Sequence, residues 1–203
     1  LYHVNTKADI TVAAYVVPSS EASQFGCIAA DETGQIIDFV EKPEIPPEIP
    51  GKPGFSFVSM GNYIFEREIL EESVLSDNER SDSSHDFGKD ILPRLFKTHK
   101  LMAYDFSTNV LPGGDKPYWK DVGSIKAYWE AHMDLLRHPS ALSLYNSQWP
   151  IRTVSFSDPP GFTYPAENHS CSVDGCLRAE ASRVLGAYVR KSVLSRNCVI
   201  NPG

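Results

Sequence analysis

The stretch Phe39-Val40-Glu41-Lys42-Pro43 sets a carboxylate beside an ammonium at the end of an apolar run. In α/β sheets, ligands gather beyond the ends of strands. A lysine placed there is a mobile point charge suited to phosphate. Pro43 disfavours the helical region for Lys42 and is expected to hold it extended. Taken alone, the triplet reads better as a solvated strand end. Ser59-Met60-Gly61-Asn62-Tyr63 is the second stretch. A hydroxyl, a glycine that permits close approach and a tyrosine in one strand could line a sugar site; a bulge in a core strand accounts for them equally well. In Tyr118-Trp119-Lys120-Asp121-Val122-Gly123, Asp121 falls between an apolar run and a helix start. A carboxylate there can hold Mg²⁺ beside phosphates, because hard cations prefer oxygen ligands. Without further context a simple helix cap is the better reading.

The fourth stretch, Ser84-His85-Asp86-Phe87-Gly88-Lys89-Asp90, contains the Asp-Phe-Gly of kinases. Neither a His-Arg-Asp-type loop nor a Val-Ala-Ile-Lys strand accompanies it. Asp86 as a helix cap, with Phe87 in a packed interface, explains it better. The six histidines are scattered, with no pair four apart, so a zinc site is not expected. Cys27, Cys171, Cys176 and Cys198 form no Cys-x-x-Cys and read as free thiols of a reducing compartment.

The elements that must position these residues are those of an α/β domain. Ile10 to Val17 is a nearly continuous apolar run, suited to a strand buried on both faces of a parallel sheet. Gly26–Asp31 and Gln35–Val40 read as a hairpin turning at Gly34, and the proline- and glycine-rich segment 43–54 reads as a surface loop. Phe55–Glu66 is a strand with Gly61 as its bulge, and Ile69–Leu75 a short helix. His85–Phe96 has helical spacing that Pro93 divides. Leu101–Phe106 and Tyr118–Val122 are expected strands. Ser124 then caps a helix whose apolar face is Ile125, Tyr128, Trp129, Met133 and Leu136.

Beyond it, residues 146–153 and 158–165 read as linker. From Ser172 onward short aliphatic positions alternate with small and polar residues at a spacing near six: Val173, Leu177, Val184, Val189, Val193 and Val199. That is the pattern of a hexapeptide β-helix, of which some thirty residues make only the first coils. The division expected is 1–145, 146–171 and 172–203.

A net charge of −7 with no lysine/arginine run argues against nucleic acid as partner. No stretch approaches the ~18 apolar residues of a membrane span, and no signal peptide is visible. The abrupt start at Leu1 and end at Asn-Pro-Gly suggest an excised piece.

Taken in order, F-G-x-x-A, F-V-E-K-P, S-M-G-x-Y-x-F, S-S-H-D-F-G-K-D, Y-W-x-D-V-G-S and W-P-I-R-T resemble the glucose-1-phosphate adenylyltransferases over nearly the whole chain. The resemblance implies the C-terminal portion of a Rossmann-like α/β nucleotidyltransferase domain, followed by the start of a left-handed parallel β-helix. It implies a glucose 1-phosphate site at Gly26, Glu41, Lys42, Ser59 and Tyr63, with the lysine on the phosphate. Asp121 would hold Mg²⁺ with Trp119 beside it, and Arg152 would be a regulatory contact. ATP, allosteric metabolites and a homotetramer in the cytoplasm are the implied partners and setting, with a plastid left open. The family's glycine-rich loop and second metal aspartate are missing, so the chain alone is expected to be inactive. A regulatory subunit of the same family, or an enzyme for another sugar phosphate, are the competing expectations.

Overall fold

In the computed structural model, which describes residues 1–114, 116–166 and 169–202, the run around Ile10 forms a central strand. A short helix, α1 (Tyr2–Thr6), leads into it. Along this strand, β1 (Ile10–Pro18), the residues Ile10, Val12 and Ala14 are fully buried on one face. Thr11, on the other face, is buried as well, its hydroxyl 2.8 Å from Nδ1 of His3. Burial on both faces is therefore confined to the first half of the strand.

A short turn of helix, α2 (Ser19–Ala22), precedes the hairpin of β2 (Gly26–Ala30) and β3 (Ile36–Glu41). Its turn forms because Asp31 Oδ1 accepts from the Thr33 and Gln35 amides, while Gly34 takes a φ of +84°. With β4 (Phe55–Phe65) and β5 (Leu101–Asp105) these strands make one sheet in the order β3-β2-β4-β1-β5. Only β1 and β5 run parallel; β4 inserts antiparallel between β1 and β2. The expected parallel sheet is thus a mixed one. Apolar continuity reports burial of a strand's faces, and the direction of its neighbours leaves no trace in it.

In β4 the pairing of Val12 with Tyr63 jumps to Ala14 with Ser59. The extra residues bulge at Gly61, whose φ is +72°. Helix α3 (Arg67–Asn78) follows, then a loop, a π-helical turn (Phe87–Ile91) and α4 (Leu92–Leu95). Pro93 lies in the first turn of α4, where its missing N–H costs no helical bond. Leu92 seals the core with Ile28, Ile36, Phe39 and Leu101, and Phe65, Ile69 and Phe96 pack around it.

The chain divides into two units, Leu1–Asn109 and Val110–Gly203. In the second, Ser124 Oγ accepts the Ala127 amide and starts helix α5 (Ile125–Leu135), as its sequence predicts. The expected strand over Tyr118–Val122 is not formed. Instead the Tyr118 hydroxyl and Lys120 ammonium each bind Asp134 of α5 at 3.1 Å. Among the described residues, seven short strands follow: β6 (Phe162–Tyr164), β7 (Ser172–Asp174), β8 (Leu177–Arg178), β9 (Arg183–Leu185), β10 (Tyr188–Arg190), β11 (Val193–Leu194) and β12 (Val199–Ile200).

They pair in parallel as three small sheets, β6-β9-β12, β7-β10 and β8-β11. Ser172 pairs with Tyr188, Leu177 with Val193 and Arg183 with Val199, so one offset recurs in all three. Left-handed backbone recurs at the same offset, at Gly175 and Lys191 and at Ala181 and Asn197. Each of the recurring aliphatics read from the sequence falls in its own strand, and Val184 and Val189 are buried. β6 lies inside the segment expected to be linker. Among the described residues, no helix is long and apolar enough to cross a membrane.

Candidate functional site

The ends of β2 and β3 and the bulge of β4 surround a polar cavity of about 370 Å³ in the first unit. Gly26, Phe39, Glu41, Ser59, Gly61 and Tyr63 line it from the sheet, and His85 to Gly88 line it from the loop before α4. Gly26 pairs directly with Glu41 across the hairpin. A Cβ built on Gly26 would stand 2.9 Å from Glu41 Oε2 and 3.2 Å from the Phe39 ring. The glycine therefore leaves the Glu41 carboxylate room to face the cavity.

The bulge turns Ser59 and Tyr63 toward each other, with their hydroxyl oxygens 3.5 Å apart. The Gly61 amide donates to Ser59 Oγ at 3.3 Å, leaving the Ser59 proton for another acceptor. Burial pushes the Tyr63 phenol above its ordinary range, and the charges of Asp86 and Glu41 push the same way against the Ser59 hydrogen bond. Tyr63 is thus a neutral donor at any physiological pH. Beneath this floor the buried Cys27 donates to the Ala22 carbonyl, and burial, followed by the Glu41 charge, raises its thiol to about 11. It is an inert thiol rather than a nucleophile.

Lys42 lies next to Glu41, its ammonium 3.6 Å from Oε1 and its side chain largely exposed. The expectation that Pro43 holds Lys42 extended is corrected: its φ is +49°. The Lys42 amide donates to the Phe25 carbonyl at 3.0 Å, closing the mouth of the hairpin. That closure, and not the proline, sets the lysine's direction.

On the loop side, Asp86 Oδ1 accepts the Lys89 amide, the cap expected from the sequence. Phe87 packs with ring centroids 5.7 Å from both Tyr63 and Phe65. Sequence reasoning missed Phe39, His85, Asp86 and Gly88 as cavity residues. Their signal was present for the loop, since a cap and a packed phenylalanine fix a segment against the bulged strand.

Two carboxylates and two hydroxyls around one small cavity suit a ligand rich in hydroxyl donors, and the neighbouring exposed Lys42 suits an anionic group.

Asp121, Trp119 and Arg152 belong to the second unit. Asp121 is exposed, and its Oδ1 accepts the Gly123 amide at 3.2 Å. Trp119 is half-buried and Arg152 exposed. Asp121 sits between Tyr118 and Lys120, which are tied to Asp134, and Ser124, which caps α5. Burial pushes the Asp134 carboxyl up, but the Lys120 and Tyr118 hydrogen bonds outweigh it and hold it below the usual range. Among the described residues, no three His, Cys, Asp or Glu side chains converge to cage a metal ion. A lone exposed carboxylate still fits Mg²⁺, which takes one or two carboxylates and completes its shell with phosphate oxygens and water.

The strand ends and bulge of a mixed α/β sheet thus line an open polar cavity of small-molecule size. The chain belongs to the nucleotidyl transferase family, whose model matches residues 2–138. It is 46% identical over 194 residues to the glucose-1-phosphate adenylyltransferase of Photobacterium profundum, covering 95% of this chain and 48% of that protein. Glucose-1-phosphate adenylyltransferase 1 of Vibrio parahaemolyticus is 45% identical over the same shares. The Nocardia farcinica enzyme of that name is 44% identical over 206 residues, 100% of this chain and 50% of its own. The chain thus spans about half the length of the curated relatives it matches.

Proposed function

We propose that this chain carries the sugar-phosphate side of the active site of a glucose-1-phosphate adenylyltransferase. The observation behind the reading is the cavity that gathers Glu41, Asp86, Ser59 and Tyr63 around a glycine whose Cβ would stand 2.9 Å from the Glu41 carboxylate. Glu41 and Asp86 accept from sugar hydroxyls, and Ser59 and Tyr63 donate to or accept from them. Lys42 takes the phosphate.

In the reaction, an oxygen of that phosphate attacks the α-phosphorus of ATP in line. The new P–O bond gives ADP-glucose, and the bond to the β-phosphate oxygen breaks to release pyrophosphate. No covalent intermediate with the protein is needed, so the chain's task is orientation and charge neutralisation. Lys42 lowers the repulsion between the two anions and aims the attacking oxygen. Asp121 would hold Mg²⁺, which when bound neutralises charge on the phosphates. Trp119 stands beside it in sequence.

In this reading residues 1–145 are the C-terminal part of the catalytic domain, 146–171 a linker, and 172–203 the first coils of a left-handed β-helix. The recurring offset of the parallel strands supports that last assignment. A cytoplasmic homotetramer regulated by metabolites, with Arg152 in contact with an effector, completes the proposal.

The test is kinetic. In the whole enzyme, substituting Lys42→Ala should raise KM for glucose 1-phosphate far more than KM for ATP. An equal rise in both counts against the assignment.

A further inference from the structure

The loop that closes the cavity needs something to hold it, because its geometry is unfavourable by itself. His85 sits at a φ of +60°, in the left-handed region that a non-glycine residue rarely adopts. The next three residues, Asp86 to Gly88, form one wall of the cavity. Phe87 anchors that wall on one side, against Tyr63 and Phe65. On the other side stands Asp77, in the last turn of α3, only 2% exposed. A carboxylate there faces the negative end of the helix and has lost its water. It is charged only because donors surround it.

Those donors come from the loop and from α4. Ser83 Oγ lies 2.9 and 3.0 Å from the two Asp77 oxygens, His85 Nδ1 lies 2.8 Å from Oδ2, and the Arg94 guanidinium binds Oδ1. Ser83 Oγ also accepts the His85 amide at 3.0 Å, so one hydroxyl ties the strained backbone to the buried charge. Ser84 and Asp86 are fastened further, through their amides, to Asp90 Oδ2. Among the described residues, no other charged side chain is hydrogen-bonded to Asp77, and Asp77 itself does not line the cavity.

We infer that Asp77 is a positioning residue for the sugar-phosphate site: through Ser83, His85 and Arg94 it holds the wall Asp86–Gly88 against the bulge of β4. The inference rests on the proposed function for its ligand. A purely structural role would leave ligand affinity untouched once the protein is folded, whereas a positioning role lowers affinity in a folded variant.

Amide spectra of the 203-residue chain, titrated with glucose 1-phosphate, separate the possibilities. The wild-type chain should shift the Gly26, Gly61 and Gly88 amides in a saturable way. Asp77→Asn, which keeps the size and loses the charge, should weaken the midpoint about tenfold while the β1–β5 amides keep their positions. Ser83→Ala, which removes one donor from an exposed loop and leaves Arg94 on Asp77, should weaken it about two- to threefold; it is the measurement that decides if Asp77→Asn fails to fold. No shift in the wild-type chain defeats the site assignment, and this inference with it. A wild-type response matched by unchanged midpoints in both variants defeats the inference alone.

Discussion

Both units tether their candidate chemistry to a buried aspartate in the last turn of a helix, and they use the tether differently. In the first, Asp77 of α3 holds a loop that completes a cavity already walled by three strands. In the second, Asp134 of α5 holds Tyr118 and Lys120, the neighbours of Trp119 and Asp121, in a segment without strand pairing. Under the proposed function the difference follows from what each place would recognise. Hydroxyl groups of a neutral ring are read only by donors and acceptors fixed in direction, so that site must be built before the ligand arrives. A charge acting on phosphates through an ion works at longer range and tolerates a loosely framed carboxylate, since the ion's remaining ligands are mobile water and substrate. Rigidity is concentrated where direction carries the information.

That contrast can be broken most directly at Asp121. Its replacement, Asp121→Asn, should lower kcat of the whole enzyme about a thousandfold, the scale of a lost metal ligand at a phosphoryl centre. KM for glucose 1-phosphate should stay within about twofold, and saturation with Mg²⁺ should need a higher concentration. If steady-state kinetics instead show KM for the sugar phosphate rising as steeply as kcat falls, the two units do not divide the work in this way.

The converse substitution is Gly26→Val. A branched side chain would enter space where even a Cβ stands 2.9 Å from Glu41 Oε2. The Glu41 carboxylate or the Phe39 ring must shift, and affinity for glucose 1-phosphate should fall about a hundredfold, the scale of one lost hydrogen bond to a charged group. Calorimetric titration measures it. Smaller still is Lys42→Ala, which removes one charge-assisted contact of about 1.5–3 kcal/mol. KM for glucose 1-phosphate should rise about tenfold or more while KM for ATP holds within about twofold.

How much of this could be read from the sequence depended on whether the cause was local. Gly34 in its turn, Gly61 in its bulge, the Ser124 and Asp86 caps and the recurring aliphatics from Val173 to Val199 are each decided within a few residues. Four of the cavity's residues, Gly26, Glu41, Ser59 and Tyr63, stand out by motif and are brought together by the sheet. The antiparallel insertion of β4 was not legible, because strand order depends on contacts between residues far apart in the chain, such as Ala14 and Ser59. Lys42 defied the proline rule because its amide reaches back to Phe25. Tyr118–Val122 has strand composition, yet its polar side chains are drawn to Asp134, a partner that periodicity cannot reveal. Asp77 and Asp134 look, in the sequence, like ordinary polar residues of helix ends.

Acid stability distinguishes Asp77 from an ordinary surface aspartate. Burial pushes its carboxyl up, but the hydrogen bonds of His85, Arg94 and Ser83 prevail and hold it at about 2. An unfolded aspartate titrates near ~3.9. A group whose folded value is depressed binds fewer protons when folded, so it favours the folded state above the unfolded value and loses that contribution as pH falls. The stabilising effect of Asp77 should therefore be complete above about pH 4 and disappear between about pH 4 and pH 2. Urea midpoints of the first unit, followed by a probe on its sheet, should fall more steeply across that window in the wild-type chain than in Asp77→Asn. Parallel curves would mean that Asp77 is as acidic unfolded as folded, and the ring of donors would then have no energetic hold on the loop. A steeper wild-type curve locates the loss in the clamp, because the Asn variant keeps the side chain's size but has no carboxylate to titrate and leaves one acceptor oxygen for those donors.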